Sequence, residues 1–250
     1  MKKTNLFGGG ATVGGTLAVL LVLAGCQTVA TQKIDEKQVS TTQSEQAPDT
    51  KVQQNVDFKD REFTSVIHIY GNLVTYPMPA WFKPESEKDI FEQSKYFRDQ
   101  KGPQFIYEQI PADQDFDDWE EIYIVSGLLL GKDVPVQRVI DLYLAGFKQG
   151  CLNGEVKSYQ VSNPENTLVA FCEEFDGASG LQGTQKGLGE IMVKRQFVSN
   201  GAVVSVTHEW RGPAFDYRDS ASWPASEDEI DAMLERFKSI EVMHPGLVGG

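Results

Sequence analysis

The chain is expected to fold as an α+β domain, an antiparallel sheet with an inserted helix and a C-terminal helix packed on one face. Three observations predict it. Two segments with a helical period lie far apart, at 136–147 and 226–237. Strand-like runs rich in β-branched and aromatic residues fill the chain around them, and Asn200-Gly201 marks a hairpin between two alternating runs.

Phe63–Tyr70 (FTSVIHIY) reads as a strand. Tyr76-Pro77-Met78-Pro79 is excluded as a central strand, because two prolines lack ladder donors. Gln104–Ile110 is a strand that stops at Pro111, and the nearly continuous apolar run Glu121–Leu130 is a buried central strand. After Asp133, Pro135 sits where a first-turn proline is tolerated. Val136, Val139, Ile140, Tyr143, Leu144 and Phe147 then follow at helical spacing. Ser158–Val161 and Thr167–Phe175 are further strands.

Asn200-Gly201 is the strongest short signal in the chain, since a type I′ turn needs positive φ at both central residues. A two-residue loop then puts Val204, Val206, His208 and Trp210 on one face with Phe197, Arg195, Val193 and Ile191. Lys194, Gln196, Ser205, Thr207 and Glu209 fall on the other. The first face is expected in the core and the second in solvent. The last helix opens on Ser226-Glu227-Asp228-Glu229, a capping box, and carries Ile230, Met233, Leu234 and Phe237 as one stripe.

Ahead of the domain stands an address. Lys2 and Lys3 precede the apolar run Thr16–Ala24, which is shorter than the ~20 apolar residues of a membrane-spanning helix. The run ends in Leu23-Ala24-Gly25-Cys26, which resembles the lipobox of bacterial lipoproteins. That resemblance implies cleavage before Cys26, a diacylglycerol thioether on its sulfur, and an added acyl chain such as palmitate on the new N-terminus. Two or three chains hold a protein on a membrane where one is marginal. Gln27 after the cysteine implies the periplasmic face of the outer membrane, with the inner membrane as the alternative.

The expected organisation is therefore a signal peptide at 1–25, a lipidated flexible tether at 26–56, one domain at 57–243 and a disordered tail at 244–250. The tether is rich in Gln, Thr and Ser and carries no aromatic residue, so it cannot offset its ordering entropy by burial. Charge adds an exclusion. There are 23 basic and 36 acidic residues, a net −13, and losing Lys2 and Lys3 with the signal makes the exported part more acidic still. Such a chain is a poor nucleic-acid binder. The expected partners are the membrane, through the lipid on Cys26, and an envelope protein of unknown identity.

Candidate sites are few. Cys151 and Cys172 would meet an oxidising compartment and are expected to form a disulfide pinning the end of the first long helix to the sheet. Asp113, Asp115 and Asp117 stand at positions 1, 3 and 5 of an EF-hand-like loop. Asp118 replaces the required Gly and Ile124 the bidentate Glu, so a solvated acidic turn competes with a Ca²⁺ site. Arg195 and His208, diagonal on the inward hairpin face, are placed to floor a pocket for an anionic ligand. A salt bridge for Arg195 and simple packing for His208 are the competing readings. His68 and His208 lack a third ligand at zinc spacing, no Gly-x-Ser-x-Gly occurs, and Gly180–Gly189 lacks the ending of a phosphate loop. No cofactor and no catalytic residue is expected. The function classes left open are a non-enzymatic interaction or accessory module and, as the alternative, a hydrolase or small-ligand binder using Arg195/His208 or the 113–121 loop.

The runs YPMPAWFKP, FIYEQIPADQDFDDWEEIYIV and GEIMVKRQFVSNGAVVSVTHEWRG, with the Cys151…Cys172 pair between them, resemble a group of uncharacterised proteobacterial envelope lipoproteins. The order of strands and helices is also similar to the PsbP-like and DcrB-like α+β fold. The resemblance spans 57–243 and implies a fold; its motifs are structural and imply no activity.

Overall fold

A computed structural model describes residues 64–84, 86, 88–131, 134–162, 165–177 and 186–244. The signal and tether with Cys26, the first residues of the expected domain, most of Gly180–Gly189 and nearly all of the expected tail lie outside the described residues. In chain order the elements are β1 (Thr64–Ile69), β2 (Asn72–Pro77), α1 (Ile90–Gln93), β3 (Ser94–Lys101), β4 (Gln104–Pro111), β5 (Glu121–Leu129), α2 (Val136–Gly150), β6 (Cys151–Ser162), β7 (Glu165–Phe175), β8 (Leu188–Ser199), β9 (Ala202–Pro213), α3 (Glu227–Phe237) and β10 (Glu241–Met243).

Asn200 and Gly201 adopt φ of 52° and 71°, as the type I′ turn requires. The β8–β9 ladder runs without a slip from Ser199↔Ala202 through Phe197↔Val204 and Val193↔His208 to Leu188↔Pro213. That hairpin sits inside a seven-stranded antiparallel sheet of order β3-β4-β5-β9-β8-β7-β6, two meanders joined where β5 pairs with β9. The domain is thus mostly antiparallel sheet with a few helices around it.

The helices do not share a face, contrary to the sequence expectation. From α3, Ile230, Met233 and Phe237 pack with Val169, Phe171, Val193 and Val206. From α2, Tyr143 packs with Leu168, Ala170 and Met192, the residues that alternate with those. The reason is connectivity. The chain leaves β5 in the interior of the sheet and re-enters at the far edge in β6, so α2 crosses one side. The return from β9 carries α3 over the other.

It follows that the face expected in solvent is covered as well. Gln196, Ser205, Thr207 and Glu209 are all buried. A continuous apolar strand such as β5 is the sequence mark of this arrangement. Ile122 and Ile124 serve one side, Tyr123 and Val125 the other, and all four are buried.

A second, three-stranded sheet of order β1-β2-β10 lies over the α3 side, where Ile69, Val74 and Tyr76 join the main core. Gly127 of β5 admits it: a Cβ there would come within 2.6 Å of the Ile69 side chain. Tyr76 and Pro77 belong to β2, the middle strand, which corrects their exclusion. β10 pairs only with Leu73–Thr75, so at Pro77 the strand is an edge and no donor is missed. The β1–β2 turn is Tyr70-Gly71, with φ of 48° and 78°, a hairpin turn without the usual Asn or Asp. The two hairpin tips dock on each other: Ser199 Oγ donates to Asn72 Oδ1 at 2.7 Å and Asn200 Nδ2 to the Tyr70 carbonyl at 3.1 Å.

Candidate functional site

Arg195 and His208 face the same side of the sheet but serve different neighbours. The Arg195 guanidinium bonds Glu165 Oε2 at 2.8 Å and the Phe237 carbonyl at the end of α3, and lies over the Phe197 ring. The buried cation therefore has a carboxylate, a helix C-terminus and an aromatic face as partners.

His208 is 0% exposed and boxed by Trp81, Tyr123 and Trp210, with ring centroids 5.9, 5.8 and 4.3 Å away. Its Nε2 lies 2.8 Å from Glu121 Oε1 but off the ring N–H direction. The contact is a poorly aligned polar one, made by a ring that burial keeps uncharged at neutral pH, and Nδ1 has no hydrogen-bond partner. Burial lowers the imidazole pKa, which Glu121 partly restores. Both side chains are committed within the packed core, and their contacts do not converge on one ligand.

The acidic loop does not gather its carboxylates either. Asp113, Asp115 and Asp117 are all exposed. Asp115 is turned to Lys95, and the loop is held instead by Gln114, whose side-chain oxygen accepts from the backbone N–H groups of Glu120 and Glu121. Trp119 and Phe116 anchor it on Ile110, Ile122 and Ile124. Among the described residues no three His, Cys, Asp or Glu side chains come together as a metal site.

Cys151 follows the last residue of α2, and Cys172 lies in β7. Their Cα atoms are 5.5 Å apart with the sulfurs joined. Beside them, Phe147, Ala170, Phe175, Met192 and Glu190 line a cavity of about 10 Å³, room for one water.

That cavity borders a cluster of polar and ionisable groups, of which Lys194, Thr207 and Glu209 belong to the hairpin face expected in solvent. Under α2 and Trp119 lie Glu108 of β4, Glu190 and Lys194 of β8, and Thr207, Glu209 and Arg211 of β9. Glu190 Oε2 accepts from Arg211 at 3.0 Å, and the guanidinium stacks 3.6 Å from the centre of the Trp119 ring. Lys194 Nζ meets Thr207 Oγ1 at 3.2 Å.

Burial raises the Glu190 carboxyl while Arg211 opposes it, and lowers the Lys194 ammonium while Glu209 opposes that. Glu209 is pushed well above the carboxylate range, by burial first and then by Glu190. Burial pushes Glu108 up to about 7, and its Oε1 has no hydrogen-bond partner. The cluster can hold and exchange protons near neutrality, through Glu108 above all, and Glu190 is the member that lines the small cavity. The signal that would have found it is the need of α2's apolar stripe for a sheet face of its own.

No family model matches the chain, and no curated protein does. Among solved structures the chain is similar to a mutant of the protein Mog1, at 12% identity and a TM-score of 0.43, over 75% of this chain and 100% of that one. It is similar also to the Saccharomyces cerevisiae Ran-binding protein Mog1p, at 11% identity and a TM-score of 0.42, over 76% of this chain and 100% of that one. Likeness at that level carries neither partner nor activity to this chain.

Proposed function

We propose that this chain is a lipid-anchored envelope protein, held by Cys26 at the periplasmic face of the outer membrane. Its α+β domain acts there as a non-enzymatic interaction or accessory module. The observation that carries the reading is the junction Leu23-Ala24-Gly25-Cys26 at the end of an apolar run too short to span a bilayer. Among the described residues no helix is long and apolar enough to cross a membrane, so lipid on Cys26 is the attachment invoked. The commitment of Arg195 and His208 to internal partners supports a module over a hydrolase. The envelope partner is a protein to be captured by crosslinking in intact envelopes.

The test is metabolic labelling with a fatty acid. The wild type should incorporate label and migrate as the shortened mature form. Cys26→Ser should accumulate as an unlabelled precursor. Normal labelling and processing of that variant would remove the anchor and the proposal with it.

A further inference from the structure

Three aromatic rings close a corner at the β6 edge of the sheet. Phe171 of β7 is its buried floor, and half-buried Tyr217 and Trp223 from the connection between β9 and α3 are its walls. The ring centroids are 5.0 Å apart for Phe171–Tyr217, 4.8 Å for Phe171–Trp223 and 6.0 Å for Tyr217–Trp223. An ammonium group already sits against two of the three. Lys157 Nζ is 5.0 Å from the Tyr217 ring centre and 5.4 Å from that of Phe171. Both distances are within the ~6 Å at which a cation is drawn to an aromatic face.

Each wall has an anchor other than the lysine. Tyr217 N–H donates to Glu173 Oε1 at 2.8 Å, and Trp223 Nε1 donates to the Asp216 carbonyl at 3.2 Å. Asp219 caps the short 3-10 turn Ser220–Ser222 between the two rings. The occupant is the loose part. Lys157 is exposed on β6, the outermost strand, whose register shifts between Ser158 and Gln160. Glu155, two residues away on the same side, adds negative charge at the rim and helps keep the ammonium protonated, behind the larger effect of its bond to Tyr217.

A primary ammonium is a strongly hydrated and therefore poor guest for such a corner. A quaternary ammonium, larger and with methyl groups to lay against rings, is the better one. We propose that Phe171, Tyr217 and Trp223 form a binding site for a small quaternary ammonium compound, with Lys157 filling the site in its absence. The shared chemistry is the trimethylammonium group, whether on a free solute or on a choline headgroup.

The experiment is calorimetric titration of the full chain with tetramethylammonium, choline and glycerophosphocholine, with tert-butanol as a neutral molecule of similar size. Saturable binding of tetramethylammonium is expected. It should tighten about tenfold in Lys157→Ala, because a site blocked by its own side chain loses affinity in proportion to the blocked fraction. Tyr217→Phe should keep binding and Tyr217→Leu should lose it. If Tyr217→Leu does not fold, the comparison of wild type with Lys157→Ala decides alone. Binding of choline without glycerophosphocholine assigns a free solute, and binding of both assigns the headgroup; either supports the site. No saturable binding by wild type or Lys157→Ala, or tert-butanol binding as well as the cation, would overturn it.

Discussion

Glu108 and His208 sit on opposite sides of one sheet and pull stability in opposite directions as pH changes. Burial holds the His208 pKa below its usual value, so the folded state resists the proton that the unfolded chain takes up. That stability is present above about 6.5 and is lost as pH falls through the folded pKa. Glu108 is the reverse case. Its folded pKa is raised from 4.5 to about 7, so its contribution is fully present below 4.5 and is lost as pH rises through 7. At roughly 1.4 kcal/mol per pH unit, the loss approaches about 3 kcal/mol above pH 8. Glu108→Gln should therefore be more stable than wild type at pH 8, by up to that amount, and close to it at pH 4.5. Urea denaturation at the two values measures the difference, and an equal effect at both would show that ionisation is not the cause. His208 was legible in the sequence because, Arg195 apart, the residues that share its hairpin face are apolar. Glu108 was visible only as a charge between Ile106 and Ile110, an anomaly without meaning until the second sheet face is known to be covered.

Among elements, those specified by local chemistry were readable and those specified by a distant partner were not. The Asn200-Gly201 turn needs only its own φ values, and its ladder extends residue by residue to Pro213. The last helix announces its start: Ser226 Oγ accepts from Glu229 N at 3.3 Å, and Glu229 Oε2 accepts from Ser226 N at 2.8 Å. Ser226→Ala should cost about 1 kcal/mol, the usual effect of losing an N-cap, with the mid-point of thermal unfolding as the measure. Ser226→Thr, which keeps a hydroxyl able to accept from Glu229 N and donate to the Glu229 carboxylate, should recover most of it. β2 was missed for the opposite reason. Pro77 at its end, with Pro79 just beyond, speaks against a central strand, and only the shortness of its partner β10 makes Pro77 tolerable. Tyr70 likewise reads as a strand residue, yet it holds a positive φ because its turn docks against the Asn200 tip.

At the scale of the molecule the weak seam is where α2 lies on the sheet. α3 is fastened at several points: Arg195 at its C-terminal carbonyl, Arg236 on the Met78 carbonyl, and Phe237 buried beneath. α2 carries an apolar stripe and no side-chain cap at its N-terminus, and at its other end the chain turns directly into an edge strand. The Cys151–Cys172 link joins that end to β7, one strand inside the edge. With the cysteines 21 positions apart, closing the loop is worth about 3 kcal/mol on the chain-entropy estimate. The loss on reduction should also be uneven. Removing the link frees β6 and the C-terminal turn of α2, with its packing on Met192 of β8, while the contacts of α3 on the opposite side of the sheet stay in place. Hydrogen exchange of the reduced protein should therefore show faster exchange across α2 and β6 at denaturant concentrations that leave α3 protected. The oxidised form should lose the two helices together. Equal loss of protection in α2 and α3 on reduction would place the disulfide's effect on the unfolded chain alone, and two freely alkylated thiols in protein taken from the cell envelope would remove the link altogether.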